Sequence, residues 1–206
     1  MIKDRNIDAV GISSTKIKER QQYTILKPEV GTAVVVSAED ISGGDVAAAT
    51  LVRTILDYPR NLLYTLSDAA SDTLEATFVV IGTDQFGEVV TESVTVDYDA
   101  AATGAGTQIF ATITSIALTD VANEAASDTA SVGVAITADV ASFGLPSKLN
   151  AVTDVEGVNW VDAGTSKTQN IDSTSVVVTR SAFRPEQTVA AADDYVITYK
   201  STADNN

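Results

Sequence analysis

The sequence of 206 residues contains no cysteine and no histidine. The absence of cysteine excludes disulfides, a thiolate nucleophile and cysteine-based zinc sites. Without histidine the chain lacks the usual general base near neutral pH, so a Ser-His-Asp triad, a Cys-His dyad and the zincin motifs are excluded. A carboxylate pair or a Ser-Lys pair would remain for catalysis, but the acidic residues are too evenly spread to nominate a pair. We therefore expect a protein that is not an enzyme, with no catalytic residue, no metal and no cofactor.

Long hydrophobic runs are missing as well. No run approaches the roughly 20 apolar residues that are needed to span a bilayer. The basic start at residues 1–6 is not followed by the apolar segment of a secretory signal. We expect a protein that is made in a cytoplasm and makes no contact with a membrane.

Positive charge is scarce and unevenly placed in a chain of formal charge −15. Residues 61–147 contain twelve acidic residues and no lysine or arginine. Such a field repels phosphate, which argues against nucleic-acid binding, and it would keep a crowded, repeated surface soluble. Adaptation to a salty habitat would produce the same balance. Residues 1–27 carry a local balance of about +3, from Lys3, Arg5, Lys16, Lys18, Arg20 and Lys27 against Asp4, Asp8 and Glu19.

The apolar residues are mainly Val, Ala and Ile, accompanied by many Thr, with one Met and one Trp. Side chains that branch at Cβ pack well on a pleated surface, so this bias favours strands over helices. Short strand-like runs alternate with turn signals along most of the chain. The sequence therefore predicts an all-β fold, a β-sandwich or distorted barrel of mainly antiparallel strands with an extended N-terminal arm.

The predicted elements divide the sequence into three segments. Residues 1–45 are expected to form the N-terminal arm and first strand, residues 46–142 the core β-sandwich, and residues 143–206 a C-terminal β segment that completes the core or forms a small subdomain. The stretch Asp45–Leu56 is either a short helix capped by Asp45 or a strand-like connection. The predicted strands are Tyr23–Leu26, Thr32–Ser37, Asn61–Leu66, a hairpin of Leu74–Ile81 with Glu88–Val96, Gln108–Ala117, Ala130–Thr137, Asn159–Val161, Ser175–Thr179 and Tyr195–Lys200.

A series of short motifs runs in order through residues 58–200. They are Pro59-Arg60-Asn61, Gly82-Thr83-Asp84 with Gly87 and Thr91-Glu92, Phe110 with Thr112 and Thr114-Ser115-Ile116, Ser131-Val132-Gly133, Gly144-Leu145-Pro146 and Asp194 to Tyr199. In this order and spacing the chain resembles structural proteins of tailed-bacteriophage virions, of the capsid decoration (cement) type. The resemblance implies a particle component without catalytic residues, and related domains also sit in tails or necks.

The basic arm is the first candidate for partner binding, through Lys3, Arg5, Lys16, Lys18 and Arg20, and a solvated tail is the alternative. Arg60 could form a bidentate pair with a neighbouring subunit, although an intrachain pair with Asp57 is preferred. Trp160, the single tryptophan, is either an interface anchor or a core residue.

Carboxylates in predicted turns are candidate cation sites. Asp84 with Glu88 could hold Ca²⁺, but a turn Asp that bonds its own backbone is the preferred interpretation. Asp97 with Asp99, and Asp193 with Asp194, are interpreted as solvated strand ends and loops, and no metal is assigned.

The expected partners are the major capsid protein or other virion proteins, with the chain on the outer capsid surface and in a homo-oligomer. The alternative is a tail, neck or fibre protein that binds a virion partner or a host surface glycan. An enzyme such as a glycan hydrolase ranks last.

Overall fold

The computed structural model describes residues 18–69, 73–138, 140–149, 151–162, 164–169, 171–172 and 175–202. These residues form antiparallel strands and two short 3₁₀ turns, which confirms the all-β sandwich. No sheet closes into a barrel in this part of the chain, and it contains no helix that is long and apolar enough to cross a membrane. The strands are β1 Lys18–Leu26, β2 Gly31–Asp40, β3 Ile55–Arg60, β4 Leu62–Ser67, β5 Glu75–Thr83, β6 Val89–Asp97, β7 Thr103–Ala105, β8 Phe110–Ala122, β9 Thr129–Val134, β10 Phe143–Gly144, β11 Val155–Asp162, β12 Thr165–Gln169, β13 Val176–Val177, β14 Ala182–Phe183 and β15 Asp194–Thr202.

Three sheets hold these strands. The largest has seven strands in the order β13-β14-β10-β3-β8-β5-β6. A second sheet has the order β2-β9-β4-β7, and a third has the order β1-β15-β11-β12. The seven-stranded sheet supplies residues to two hydrophobic cores, one at each end, so it connects the whole structure.

The first core lies between the β2-β9-β4-β7 sheet and the β3-β8-β5-β6 part of the large sheet. Strand β5 shows the period of two that a half-buried strand requires, with Ala76, Phe78 and Val80 buried and the residues between them more exposed. Tyr64 of β4 meets Phe78 across the sandwich, with ring centroids 5.1 Å apart. The predicted hairpin of β5 and β6 is confirmed, with a continuous register from Glu75 opposite Asp97 to Thr83 opposite Val89.

A buried carboxylate in this core was not anticipated from the sequence. Glu92 of β6 accepts hydrogen bonds from the backbone N–H groups of Thr107 at 2.6 Å and Gln108 at 2.9 Å, and from the Tyr64 hydroxyl at 3.0 Å. A buried charge is tolerated when it is hydrogen-bonded in this way. Glu92 therefore fixes the chain between β7 and β8 onto the edge of the sandwich.

The second core packs the β1-β15-β11-β12 sheet against β10, β13 and β14. Strands β1 and β15 pair over nine residues, from Lys18 opposite Thr202 to Leu26 opposite Asp194, so both ends of the described chain meet in one sheet. Residues 18–26, which were expected to be mostly arm, are thus a regular strand. The boundary between residues 46–142 and 143–206 stays a prediction, since both segments contribute to the seven-stranded sheet.

The stretch Asp45–Leu56 contains no helix. Val46 forms an isolated bridge with Leu118, and the Ala49 N–H donates to the carbonyl of Ile116 at 2.8 Å, so this stretch runs beside β8 as the strand-like connection. Strand β3 begins at Ile55, at the end of this stretch, and it was not predicted as a strand because it contains Pro59, which cannot donate to a sheet. Its register shifts between Ile55 and Arg60, which accommodates the proline.

A test of the sandwich is the substitution Gly133→Ala. A Cβ at Gly133 would lie 2.0 Å from the carbonyl oxygen of Gly31, and backbone cannot move away as a side chain can. We expect a loss of about 3 kcal/mol or more in the free energy of unfolding. The control Gly43→Ala adds the same methyl where nothing lies within 4 Å, and it should change stability by less than about 1 kcal/mol. Equal denaturant midpoints for the two variants would contradict the packing of β9 on β2.

The buried tyrosines predict how the fold responds to alkali. Burial raises the pKa of Tyr23 to about 12, and it also raises the pKa values of Tyr64, Tyr195 and Tyr199 above the ordinary value of 10.0. Because the folded-state pKa values exceed the unfolded one, this stability is complete below pH 10 and is lost as the pH rises towards 12.

We expect these four phenols to ionise together with unfolding in that pH range, measured by tyrosinate absorbance alongside Trp160 fluorescence. Tyr23→Phe removes one titrating phenol and should move the alkaline midpoint upward. Complete ionisation of all tyrosines with unchanged circular dichroism would contradict the burial of these four side chains.

Candidate interaction surfaces

The fold sorts charge into two regions. Residues 28–147 hold two basic and 17 acidic residues, whereas residues 18–27 and 148–202 together hold eight of each. The pairing of β1 with β15 brings the latter two segments into the second core. The molecule therefore has a strongly acidic end around the first core and a neutral end, rich in both signs of charge, around the second.

A cluster of charges lies on the outer face of the neutral end. Arg20 of β1 stands opposite Lys200 of β15, and both contact Glu156 of β11. The Arg20 Nε lies 2.9 Å and the Lys200 Nζ 2.5 Å from the two Glu156 oxygens. The Lys200 hydrogen bond and then the two positive charges hold the pKa of Glu156 below its usual value. We call Arg20, Lys200 and Glu156 the basic face, because they leave a net positive charge at the surface.

Of the predicted partner-binding residues, Arg20 is on this basic face and its side chain is 72% exposed. Lys18 lies two residues before it in the same strand. Lys3, Arg5 and Lys16 lie outside the described residues.

Arg60 is buried, so its side chain is not at the surface where a neighbouring subunit could contact it. It is fully buried at the end of β3, where its Nη1 donates to the Glu29 carbonyl at 2.8 Å and its Nη2 to the Ala135 carbonyl at 2.9 Å. The guanidinium carbon also lies 4.6 Å from the centre of the Phe143 ring. The intrachain alternative, with Asp57 at 3.8 Å, is the one that the structure contains.

The Arg60 side chain stays positively charged although it is buried. Desolvation lowers its pKa to about 10, while the nearby Asp57 and Glu29 oppose that shift. At neutral pH the side chain is therefore a buried cation, held by backbone carbonyls at the junction of the two cores. Its role is internal, and a neighbouring molecule cannot reach it in this conformation.

Trp160 is half-buried on β11, on the inner side of its sheet. It stacks on Tyr195 with a centroid separation of 6.3 Å, and Lys167 Nζ lies 4.6 Å from its ring centre. Tyr195 and Lys167 are its direct cross-strand neighbours on either side. The ring borders an open recess of about 300 Å³ together with Gln187 and Asp193, so Trp160 combines core packing with one accessible edge.

The acidic turns bond their own backbone. Asp84 Oδ1 accepts the N–H groups of Phe86 at 2.8 Å and Glu88 at 3.0 Å, and Asp97 Oδ1 accepts that of Asp99 at 3.1 Å. Asp193 differs from its prediction because it is buried and accepts the Tyr195 hydroxyl at 3.0 Å. Across the described ranges no three His, Cys, Asp or Glu side chains come together as a metal site.

Comparison with known proteins adds no relative. No protein-family model, curated protein or solved structure matches the chain. Arguments about function therefore depend on the residues and surfaces described above.

The buried cation at the core junction can be tested with Arg60→Lys. A lysine cannot serve both carbonyls with one planar group, so we expect a loss of about 2–4 kcal/mol in the free energy of unfolding. Arg53→Lys is the matched control, since Arg53 is partly exposed and pairs with the side chain of Glu29. That control should cost less than about 1 kcal/mol. Similar denaturation midpoints for both variants would show that Arg60 does not organise the junction.

Proposed function

We propose that this chain is a non-enzymatic structural component of a tailed-phage virion, a capsid decoration protein that binds the outer surface of the major capsid protein shell. The observation that carries the proposal is the separation of charge between the two ends of the fold. A neutral end with a basic face suits contact with an acidic protein surface, and an acidic end suits exposure to solvent. The ordered motifs in residues 58–200 that resemble phage virion proteins support the choice of a phage particle.

The outer surface is favoured over the inner one by electrostatics. Residues 28–147 carry a balance of −15, and packaged DNA would repel a surface of that charge. On the outside the same charge keeps a dense array of copies soluble and prevents particles from adhering to one another.

Binding through a small basic face becomes stronger when many copies bind to equivalent sites on one shell. Exposed ion pairs contribute little individually, so a single copy would bind weakly. A shell offers many equivalent sites, and contacts between neighbouring copies would add avidity without new chemistry at each site.

The alternative is a tail, neck or fibre protein that binds a virion partner or a host surface glycan. The recess beside Trp160 favours the glycan reading, since it places an aromatic edge near Gln187 and Asp193. A sugar that stacks on the ring would have to displace Lys167, which lies against it. Binding of the isolated protein to host cells, abolished by Trp160→Ala, would support this alternative over the capsid.

The capsid proposal is tested with purified particles that lack the protein, to which recombinant protein is added. We expect saturable binding to the shell and greater resistance of the particles to heat. The double variant Arg20→Gln with Lys200→Gln should lower the apparent affinity about tenfold, and added salt should weaken wild-type binding.

The matched control is Lys148→Gln with Arg180→Gln, which removes the same charge away from the basic face and should bind as the wild type does. Absence of the protein from purified virions, or unchanged heat resistance of particles without it, would contradict the proposal.

A further inference from the structure

The outer side of β8, β5 and β6 carries a patch without a charged residue, which runs from Thr77 to Thr83 along β5. Strand registers place its residues in four rows of three, each row running from β8 across β5 to β6. All twelve are partly or fully exposed. The rows are Thr119, Thr77 and Thr95; Ala117, Val79 and Ser93; Ser115, Ile81 and Thr91; and Thr112, Thr83 and Val89. We call these residues the neutral face.

Large apolar side chains are concentrated on this side. Ile81 is 39% exposed and Val89 is 76% exposed. Ile55 of β3 lies opposite Thr112, which extends the face by one strand, and it is 67% exposed. These are three of the six large hydrophobic residues that are exposed in the described chain. Exposed apolar side chains that cluster together mark a contact surface more often than scattered ones do.

Four hydroxyl groups of the neutral face already form hydrogen bonds with one another. The side-chain oxygens of Thr77 and Thr95 are 2.9 Å apart, and those of Thr83 and Thr112 are 2.7 Å apart. Each pair forms a hydrogen bond across neighbouring strands. Covering a hydroxyl that already has a partner costs less than covering one that depends on water.

Acidic residues bound the neutral face at both ends. The next row beyond Thr77 contains Glu75 opposite Asp97, and the turn beyond Thr83 contains Asp84 and Glu88. A basic partner would be drawn towards these rims and the remaining acidic surface. A second copy of the same chain carries the same acidic charge, so it is repelled everywhere on this end except where charge is absent.

We propose that the neutral face is a homotypic contact, through which two copies of this chain meet about a two-fold axis. In such an isologous contact each residue faces the same patch on its partner, so a face without charge is complementary to itself. The proposal concerns self-association alone and stands whether or not the chain decorates a capsid.

The size of the face sets the expected strength. With strands about 4.8 Å apart and a rise of about 3.4 Å per residue, the four rows cover roughly 14 by 24 Å. Two copies would cover about 700 Å² in projection, below the roughly 1,600 Å² of a standard interface. The contact should therefore be weak in dilute solution, and effective where copies are held close together.

Sedimentation equilibrium of the full chain from about 10 µM to about 1 mM measures the association. We expect a reversible monomer–dimer equilibrium that strengthens between about 0.05 M and 0.5 M NaCl, because salt screens the repulsion between acidic copies. Ile81→Lys should raise the dissociation constant at least about tenfold, since it places two buried charges at the contact.

Lysine makes this test selective. An added lysine lowers the net negative charge of each copy, so a general electrostatic effect would strengthen the association. The association weakens only if the lysine is buried in the contact between copies. Val140→Lys is the control, since Val140 is 37% exposed and lies outside the neutral face. Ser93→Lys, at an exposed position on β6, repeats the test if Ile81→Lys does not fold by circular dichroism.

Four results would overturn the proposal. The first three are a monomer over the whole concentration range, an association that weakens with salt, and an equal loss of association in Ile81→Lys and Val140→Lys. The fourth is a trimer or larger ring that survives Ile81→Lys, which would assign the contact to another surface.

Discussion

The two cores are joined where the buried guanidinium of Arg60 meets the backbone. Arg60 ends β3 and lies opposite Phe143 of β10, which is the step of the seven-stranded sheet between one core and the other. Its two carbonyl partners belong to Glu29, between β1 and β2, and to Ala135, directly after β9. Both are positions where the chain passes from one core to the other. The Arg60 side chain thus contacts all three places where the structure passes between the two cores. An apolar side chain could not replace it, because the two backbone carbonyls would then lack a hydrogen-bond donor.

The separation of charge follows from this connectivity. The chain enters through β1 in the second core, builds the whole first core, and returns to finish beside its start in β15. The two segments that flank the acidic stretch are therefore brought together in space, although more than a hundred residues lie between them. An uneven distribution along the sequence becomes a division of the folded molecule into an acidic and a neutral end. In a fold that kept these two segments apart, residues 18–27 would form a small basic region and residues 148–202 a weakly acidic one.

Much of the fold was accessible from the sequence because alternation and turn glycines are local signals. The hairpin of β5 and β6 was placed within two residues at each end, since Gly87 adopts the positive φ of 81° that its turn requires. Strand β12, with the sequence TSKTQ, has no apolar alternation and was not predicted. Strand β1 was predicted too short because its first five residues, 18–22, are all charged or polar. Its pairing with β15 depends on contacts about 170 residues apart, which no local pattern encodes.

The candidate surfaces could be predicted from the sequence only in part, because a sequence shows charge but not which residues become neighbours in a sheet. Charge can be counted from a sequence, so the acidic stretch and the basic beginning were found before the fold was known. The neutral face could not be found that way, because its residues come from three strands, and paired residues such as Thr77 and Thr119 lie more than forty positions apart in the sequence. Burial of Arg60 was likewise invisible, since an arginine beside a proline in a strand is normally exposed.

The two proposed contacts would rely on different physical effects. The basic face would act through charges that salt screens, whereas the neutral face would act by removing apolar and paired hydroxyl groups from water. They also lie on different sheets, β1-β15-β11 for one and β8-β5-β6 for the other. A copy that binds an acidic partner through the first surface keeps the second available for a neighbouring copy, since no residue belongs to both. In the proposed contact the uncharged rows would meet one another, and like charges would approach only at the two acidic rims, Glu75 with Asp97 and Asp84 with Glu88.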